Sequence, residues 1–90
     1  MKYHIQYTSR ARKDLHRLDN KTAQRIIRAL HTLCDDPYLH IKKLKGGTPA
    51  HLVYTFRIGL YYRAILSVHD TFLIIHVLEI EDRNQAYRDF

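Results

Sequence analysis

The chain has 90 residues, 46% hydrophobic and 27% charged, and fifteen Lys and Arg against nine Asp and Glu leave a net charge of +6. That size suits one domain with one core, residues 1–90, and this usage excludes the disordered, collagenous and disulfide-rich classes. The charge points to anionic partners, with nucleic acid or an acidic protein ahead of a membrane surface, because the basic residues do not lie opposite an extended apolar face on one free helix.

Tyr3, Ile5 and Tyr7 alternate with His4 and Gln6, the period-2 pattern of a half-buried strand. The same N-terminal residues lack the apolar stretch of a secretory signal, so a cytoplasmic location is expected. Thr8-Ser9 then offers a helix N-cap. Ala11, Leu15 and Leu18 follow at i, i+4 and i+7, which leaves Arg10, Arg12, Lys13, His16 and Arg17 towards solvent. Asp19-Asn20 breaks this helix and can cap a second, in which Ala23, Ile26, Ile27, Leu30, Leu33 and Cys34 keep helical spacing until Pro37 ends it. The two form a helical hairpin whose apolar stripe needs a surface to cover. Cys34 is the chain's one cysteine and falls on that stripe, so it reads as a buried structural residue.

Ile41 to Pro49 reads as a loop, basic first and glycine-rich after. Three strands follow. In the first, Leu52, Tyr54, Phe56 and Ile58 alternate with His51, Val53, Thr55 and Arg57. A turn at Gly59-Leu60 leads to a strand from about Tyr61 to Val68, and a turn at His69-Asp70-Thr71 leads to another from Phe72 to Ile80. The apolar run Thr71–Leu78 is far shorter than the roughly 20 residues of a membrane-spanning helix. The fold expected is α+β, in the order β-α-α-β-β-β: an antiparallel sheet of about four strands with the N-terminal helical hairpin packed on one face. The other face then carries Arg57 and its neighbours.

Several segments resemble one family in register along essentially the whole chain. They are Tyr3-His4-Ile5-Gln6-Tyr7-Thr8-Ser9-Arg10-Ala11-Arg12-Lys13-Asp14-Leu15, Lys42-Lys43-Leu44-Lys45-Gly46, Arg57-Ile58-Gly59, Tyr62-Arg63, and Arg83 followed by Tyr87-Arg88. Together they are similar to the RelE/ParE superfamily of bacterial and archaeal toxins. The resemblance implies a toxin held in check by a cognate, RelB-like antitoxin with a partly acidic amphipathic segment, in a toxin–antitoxin hetero-oligomer. In the RelE branch it implies cleavage of mRNA in the ribosomal A site, without metal, by attack of a ribose 2′-OH on the adjacent phosphorus. In the ParE branch it implies inhibition of DNA gyrase. A third reading is a non-catalytic antitoxin-binding module.

By the pattern of the RNA-cutting relatives, Arg57, Arg63, Arg83, Tyr87 and Lys45 take the catalytic roles, and Lys42, Lys43, Lys45 and Arg88 contact RNA. Many relatives carry His just before the terminal Arg where this chain has Asp82, so no general base transfers from that position. Guanidinium suits a phosphorane, being permanently charged and forked to meet two oxygens. It cannot take a proton. His51 and Glu81 are the residues to test as acid or base, with balance of a neighbouring arginine the other use of Glu81. The lysines serve as phosphate anchors, as acid–base groups or as a solvated loop, and Tyr87 as a stacking or proton-donating group or as a C-terminal anchor. Arg57, Arg63 and Arg83 each weigh against a plain surface salt bridge. Tyr54, Phe56 and Tyr62 read as core. The seven histidines include no pair at i, i+2 or i, i+4, so neither a metal nor another cofactor is expected.

Overall fold

The computed structural model describes residues 2–44 and 52–82. The chain runs through β1 (His4–Tyr7), α1 (Ser9–His16), α2 (Asn20–His31), two single 3₁₀ turns, β2 (Ile41–Lys43), β3 (Tyr54–Ile58), β4 (Tyr62–His69) and β5 (Ile74–Asp82). No helix is long and apolar enough to cross a membrane among these residues.

Both helix starts follow the capping residues read in the sequence. The Thr8 side chain accepts from the Ala11 N–H, and the Asp19 carboxylate accepts from the N–H and hydroxyl of Thr22. The second helix ends sooner than expected: after His31 the backbone tightens into a 3₁₀ turn over Thr32–Cys34, and Pro37 opens a second over Pro37–Leu39. Leu33 nevertheless stays fully buried, whereas Cys34, expected to be buried on the same stripe, is only partly so.

The sheet has five strands in the order β1-β5-β4-β3-β2. Two features correct the expectation of about four antiparallel strands. Ile41–Lys43 is an edge strand rather than loop, because Ile41 pairs with the buried Phe56 while its two lysines stay in solvent. Short length and exposed lysine suit an unprotected edge. The second is that β1 lies parallel to β5, joining Ile5 to Ile75 and Tyr7 to Val77, so the sheet is mixed. The turn before β5 also sits later than expected. Phe72 is 73% exposed and Leu73 adopts a positive φ of 55°, so this apolar pair belongs to the connection and the strand begins at Ile74.

One face of the sheet contributes Phe56, Ala64, Leu66, Ile75, Val77 and Ile80 to the core, packed against Ala11, Ile26, Leu30 and Leu33 of the helical side. This is the packing expected of the hairpin. A bulge between Ile65 and Leu66 lets β4 pair first with Glu79 and then with Val77, which skips Leu78. The skipped carbonyl is used: Thr8 Oγ1 donates to Leu78 O at 2.6 Å. The Thr8 N–H donates to Val77 O at 3.0 Å, and Asp14 Oδ2 accepts from the Ile80 N–H at 3.0 Å. Where β1 ends, then, α1 takes over the edge of β5.

At the opposite end of the sheet, Asp70 accepts hydrogen bonds from the hydroxyls of Tyr3 (2.6 Å) and Tyr38 (2.8 Å), and Tyr38 meets the Tyr54 ring edge-on. These bonds, Tyr3 first, hold the Asp70 carboxyl below the ordinary carboxylate range.

Thr8→Ala should lower the free energy of unfolding by about 1–2 kcal/mol, since it removes a cap and strands a carbonyl, while Thr8→Ser should recover most of the loss. Urea titrations of the three proteins check this. Asp70 has a folded pKa below its unfolded value, so its bonds stabilise the fold above roughly pH 4 and that contribution fades as the pH falls through the folded value. Asp70→Asn should therefore show a flatter acid limb than the wild type in thermal melts across this window.

Candidate nucleic-acid interface

Strand alternation decides which side chains share the face away from the helices. Phe56 and Ala64 are core, so the residues flanking them, Arg57 and Arg63, point the other way. The register then brings them together, because Arg57 pairs directly with Arg63 across β3 and β4, and Arg63 with Glu81 across β4 and β5. Arg57, Arg63 and Glu81 thus form one row across three strands. The next row along the same face is Lys42, Thr55, Ile65 and Glu79.

The two arginines differ in their commitments. Arg63 donates through Nη2 (2.6 Å) and Nε (3.2 Å) to a single oxygen, Oε2 of Glu81. Both side chains are about half exposed, which limits such a pair to roughly 0–1 kcal/mol. Arg57 is exposed and has no carboxylate partner among the described residues. Like charges directly opposite each other in a sheet are destabilising, and Glu81 relieves only one of these two. A phosphate seated over the row would meet guanidinium groups from adjacent strands.

The lysines separate. Lys42 pairs with Thr55 and shares the Arg57 face, whereas Lys43 pairs with Tyr54 and falls on the other side of the sheet. Tyr54, Phe56 and Tyr62 take the helical side as expected: Phe56 is buried, Tyr62 packs against the core, and Tyr54 meets Tyr38. Burial, then the nearby Asp82, raises the Tyr62 hydroxyl pKa. Lys45, His51, Arg83, Tyr87 and Arg88 lie outside the described residues.

Two features escaped the sequence. Leu60 and Tyr61 are exposed at the β3–β4 turn, 73% and 49%, beyond the Ile58–Tyr62 rung that follows the arginine pair. Gly59, at a φ of 62°, turns the chain there, and an apolar pair after a glycine does not reveal whether it packs or protrudes. The other is an ion pair between Arg10 Nε of α1 and Glu79 Oε2 at 3.1 Å, which places a cation from the first helix at the margin of this face. No pattern near Arg10 or Glu79 signals it, since it depends on α1 lying along β5. Among the described residues, no cluster of three or more His, Cys, Asp or Glu could hold a metal ion.

The family model described as "ParE toxin of type II toxin-antitoxin system, parDE" matches residues 5–87. Among solved structures, the chain is similar to one from the RelBE2 toxin–antitoxin complex of Mycobacterium tuberculosis, with a TM-score of 0.79 and 24% identity over 92% of this chain and 100% of that one. It is also similar to one from the archaeal RelE–RelB complex of Pyrococcus horikoshii, with a TM-score of 0.76 and 26% identity over 94% of this chain and 99% of that one. The isolated E. coli RelE toxin gives 0.69 and 21% identity over 97% and 93%. No curated protein matches the chain.

If Arg57 and Arg63 repel each other across the sheet, Arg57→Gln should leave stability unchanged or raise it by up to about 0.5 kcal/mol at low salt. The gain should shrink at high salt as the repulsion is screened. Thermal unfolding at two ionic strengths tests this. A clear loss of stability would mean that Arg57 holds the fold together.

Proposed function

The chain belongs to the ParE toxin family of type II toxin–antitoxin systems, and we propose that, as such a toxin, it is a ribosome-dependent mRNA endoribonuclease that inhibits translation. The observation that carries this reading is the Arg57–Arg63 pair on the open face of the sheet, with Lys42 on the same face. The likeness to RelE toxins in fold supports it. The partner proposed is a RelB-like antitoxin, in line with the RelB complexes of two of the similar structures. An acidic segment of that antitoxin would neutralise the arginine face.

In the reaction the ribose 2′-oxygen bonds to the adjacent phosphorus and the bond to the 5′-oxygen breaks, so a proton leaves the 2′-hydroxyl and another reaches the departing oxygen. Charge accumulates on the non-bridging oxygens. Arg57 and Arg63 are the donors for that charge, joined by Arg83 and Lys45, and Lys42 and Arg88 hold the strand, whereas Lys43, expected to contact RNA as well, lies on the opposite side of the sheet and has no part in it. Glu81 and His51 are the proton acceptors to test. Glu81 already accepts both N–H groups of Arg63, so it must share its charge to act as a base. Tyr87 supplies a ring or a hydroxyl to the leaving nucleotide. No metal enters the scheme.

A second reading is inhibition of DNA gyrase, and the ParE identity of the family model favours it. Primer extension on mRNA with translating ribosomes separates the two. Discrete cuts in the ribosomal A site are expected, absent from a ribosome-free control and reduced about 10²–10³-fold by Arg57→Ala or Arg83→Ala. Uncut message from a folded protein that blocks gyrase supercoiling would select the second reading.

A further inference from the structure

Of the tyrosines among the described residues, all but one serve the fold. Tyr3 and Tyr38 donate to Asp70, Tyr54 meets the Tyr38 ring edge-on, and Tyr7 and Tyr62 pack against the core. Tyr61 does none of these. It is about half exposed, its ring meets no other ring, and its hydroxyl has no hydrogen-bond partner among the described residues. Its place follows from the hairpin. Gly59, at a φ of 62°, turns the chain, and β4 begins at Tyr62, whose side chain packs on the core. The two-residue period of that strand, carried one step back, puts Tyr61 on the Arg63 side, about 7 Å from Arg63 along the strand. A flat, amphipathic ring thus stands beside the Arg57–Arg63 row, on a turn fixed by the adjoining Ile58–Tyr62 rung.

We propose, resting on the RNA reading of the sheet face, that Tyr61 is a base platform, stacking on the base of a nucleotide next to the phosphate held by Arg57 and Arg63. Single-stranded RNA alternates charge on its backbone with the π-faces of its bases, and proteins that hold it combine cations with aromatic rings. The row supplies the first and Tyr61 the second. A protein partner fits this ring less well, because an aromatic anchor at a protein interface needs neighbours that keep water from it. Here the neighbours are the still more exposed Leu60 and the solvated Arg63. Stacking accepts any base, so Tyr61 positions the strand without choosing its sequence. A held base fixes the register of the strand over the arginines, which aligns one phosphodiester with them rather than its neighbours.

The probe is an mRNA on programmed ribosomes whose A-site codon carries 2′-O-methyl riboses, which 2′-OH attack cannot cut, and the fluorescent base 2-aminopurine at one codon position at a time. Stacking quenches this base, so binding is read apart from cleavage. Titrations would compare the wild type with Tyr61→Phe and Tyr61→Ala, each checked for folding by circular dichroism. The wild type and Tyr61→Phe should quench at one position, and Tyr61→Ala should lose that quench and bind about tenfold more weakly. In competition with the labelled message, a message with an abasic ribose at that position should bind the wild type and Tyr61→Ala alike. Equal quenching by the wild type and Tyr61→Ala at every position would overturn the inference. A loss of affinity as large on the abasic message as on the intact one would also overturn it and assign the ring to the ribosome or a protein. Primer extension on unmodified message reads cleavage separately. Quenching that depends on Tyr61 without any cut would overturn the endonuclease reading and leave the platform standing, whereas cuts without such quenching would overturn the platform alone.

Discussion

A single hydroxyl fixes the relation between the sheet and the first helix. Thr8 Oγ1 accepts from the Ala11 N–H at 3.0 Å and donates to Leu78 O at 2.6 Å, while its own N–H donates to Val77 O. One residue therefore ends β1, starts α1 and binds both to the bulged part of β5. Part-buried polar groups at a strand end and a helix start both need partners, and each supplies the other's. With α1 pinned along β5, Asp14 reaches the Ile80 N–H, the buried Ala11 enters the core, and Arg10 comes within 3.1 Å of Glu79. The α1 cation and the basic sheet face adjoin as a result of this docking.

The two faces of the sheet follow different physics. The helical side gains its stability from apolar burial by Leu66, Ile75 and Val77, all without exposed surface. The open side buries Ile65 and otherwise gains little. Its ion pairs, Arg63 with Glu81 and Arg10 with Glu79, are solvated at the arginine, and Arg57 sits opposite a like charge. Residues arranged in this way do not repay their place through the fold, so their arrangement is better explained by something that binds there.

The sequence made the local structure legible and left the pairing unread. Alternation through Tyr54–Ile58, the caps at Thr8 and Asp19 and the turn at Gly59 all have short-range causes, and each is present where the pattern put it. That Arg57 faces away from Phe56 follows from parity alone, but its pairing with Arg63 needs a three-residue turn, Gly59 to Tyr61, one residue longer than the Gly59-Leu60 turn expected. The bulge defeats parity further on. Glu79 and Glu81 share a face with Arg63 only because Leu78 is skipped, and nothing adjacent to Leu78 marks the skip. Ile41–Lys43 is too short to show a period, and the parallel contact of β1 with β5 joins residues some seventy positions apart. Lys42 and Lys43 look alike in a basic run, yet a strand sends them to opposite faces.

The unequal state of the two arginines bears on how such a row could act on RNA. A substrate phosphate can engage Arg57 without displacing a carboxylate of the described residues. To engage Arg63 it must compete with Glu81, which already accepts two N–H groups on one oxygen. A ground-state phosphodiester carries one negative charge and competes poorly. A phosphorane carries more and competes better, so exchange of Arg63 from Glu81 to the reacting centre would strengthen as charge develops. An interaction that grows along the reaction coordinate accelerates the step, whereas one already complete in the bound substrate only tightens binding. On the proposed reading both arginines face the developing charge, Arg57 from the bound substrate onward and Arg63 increasingly towards the transition state, with Glu81 setting the difference between them.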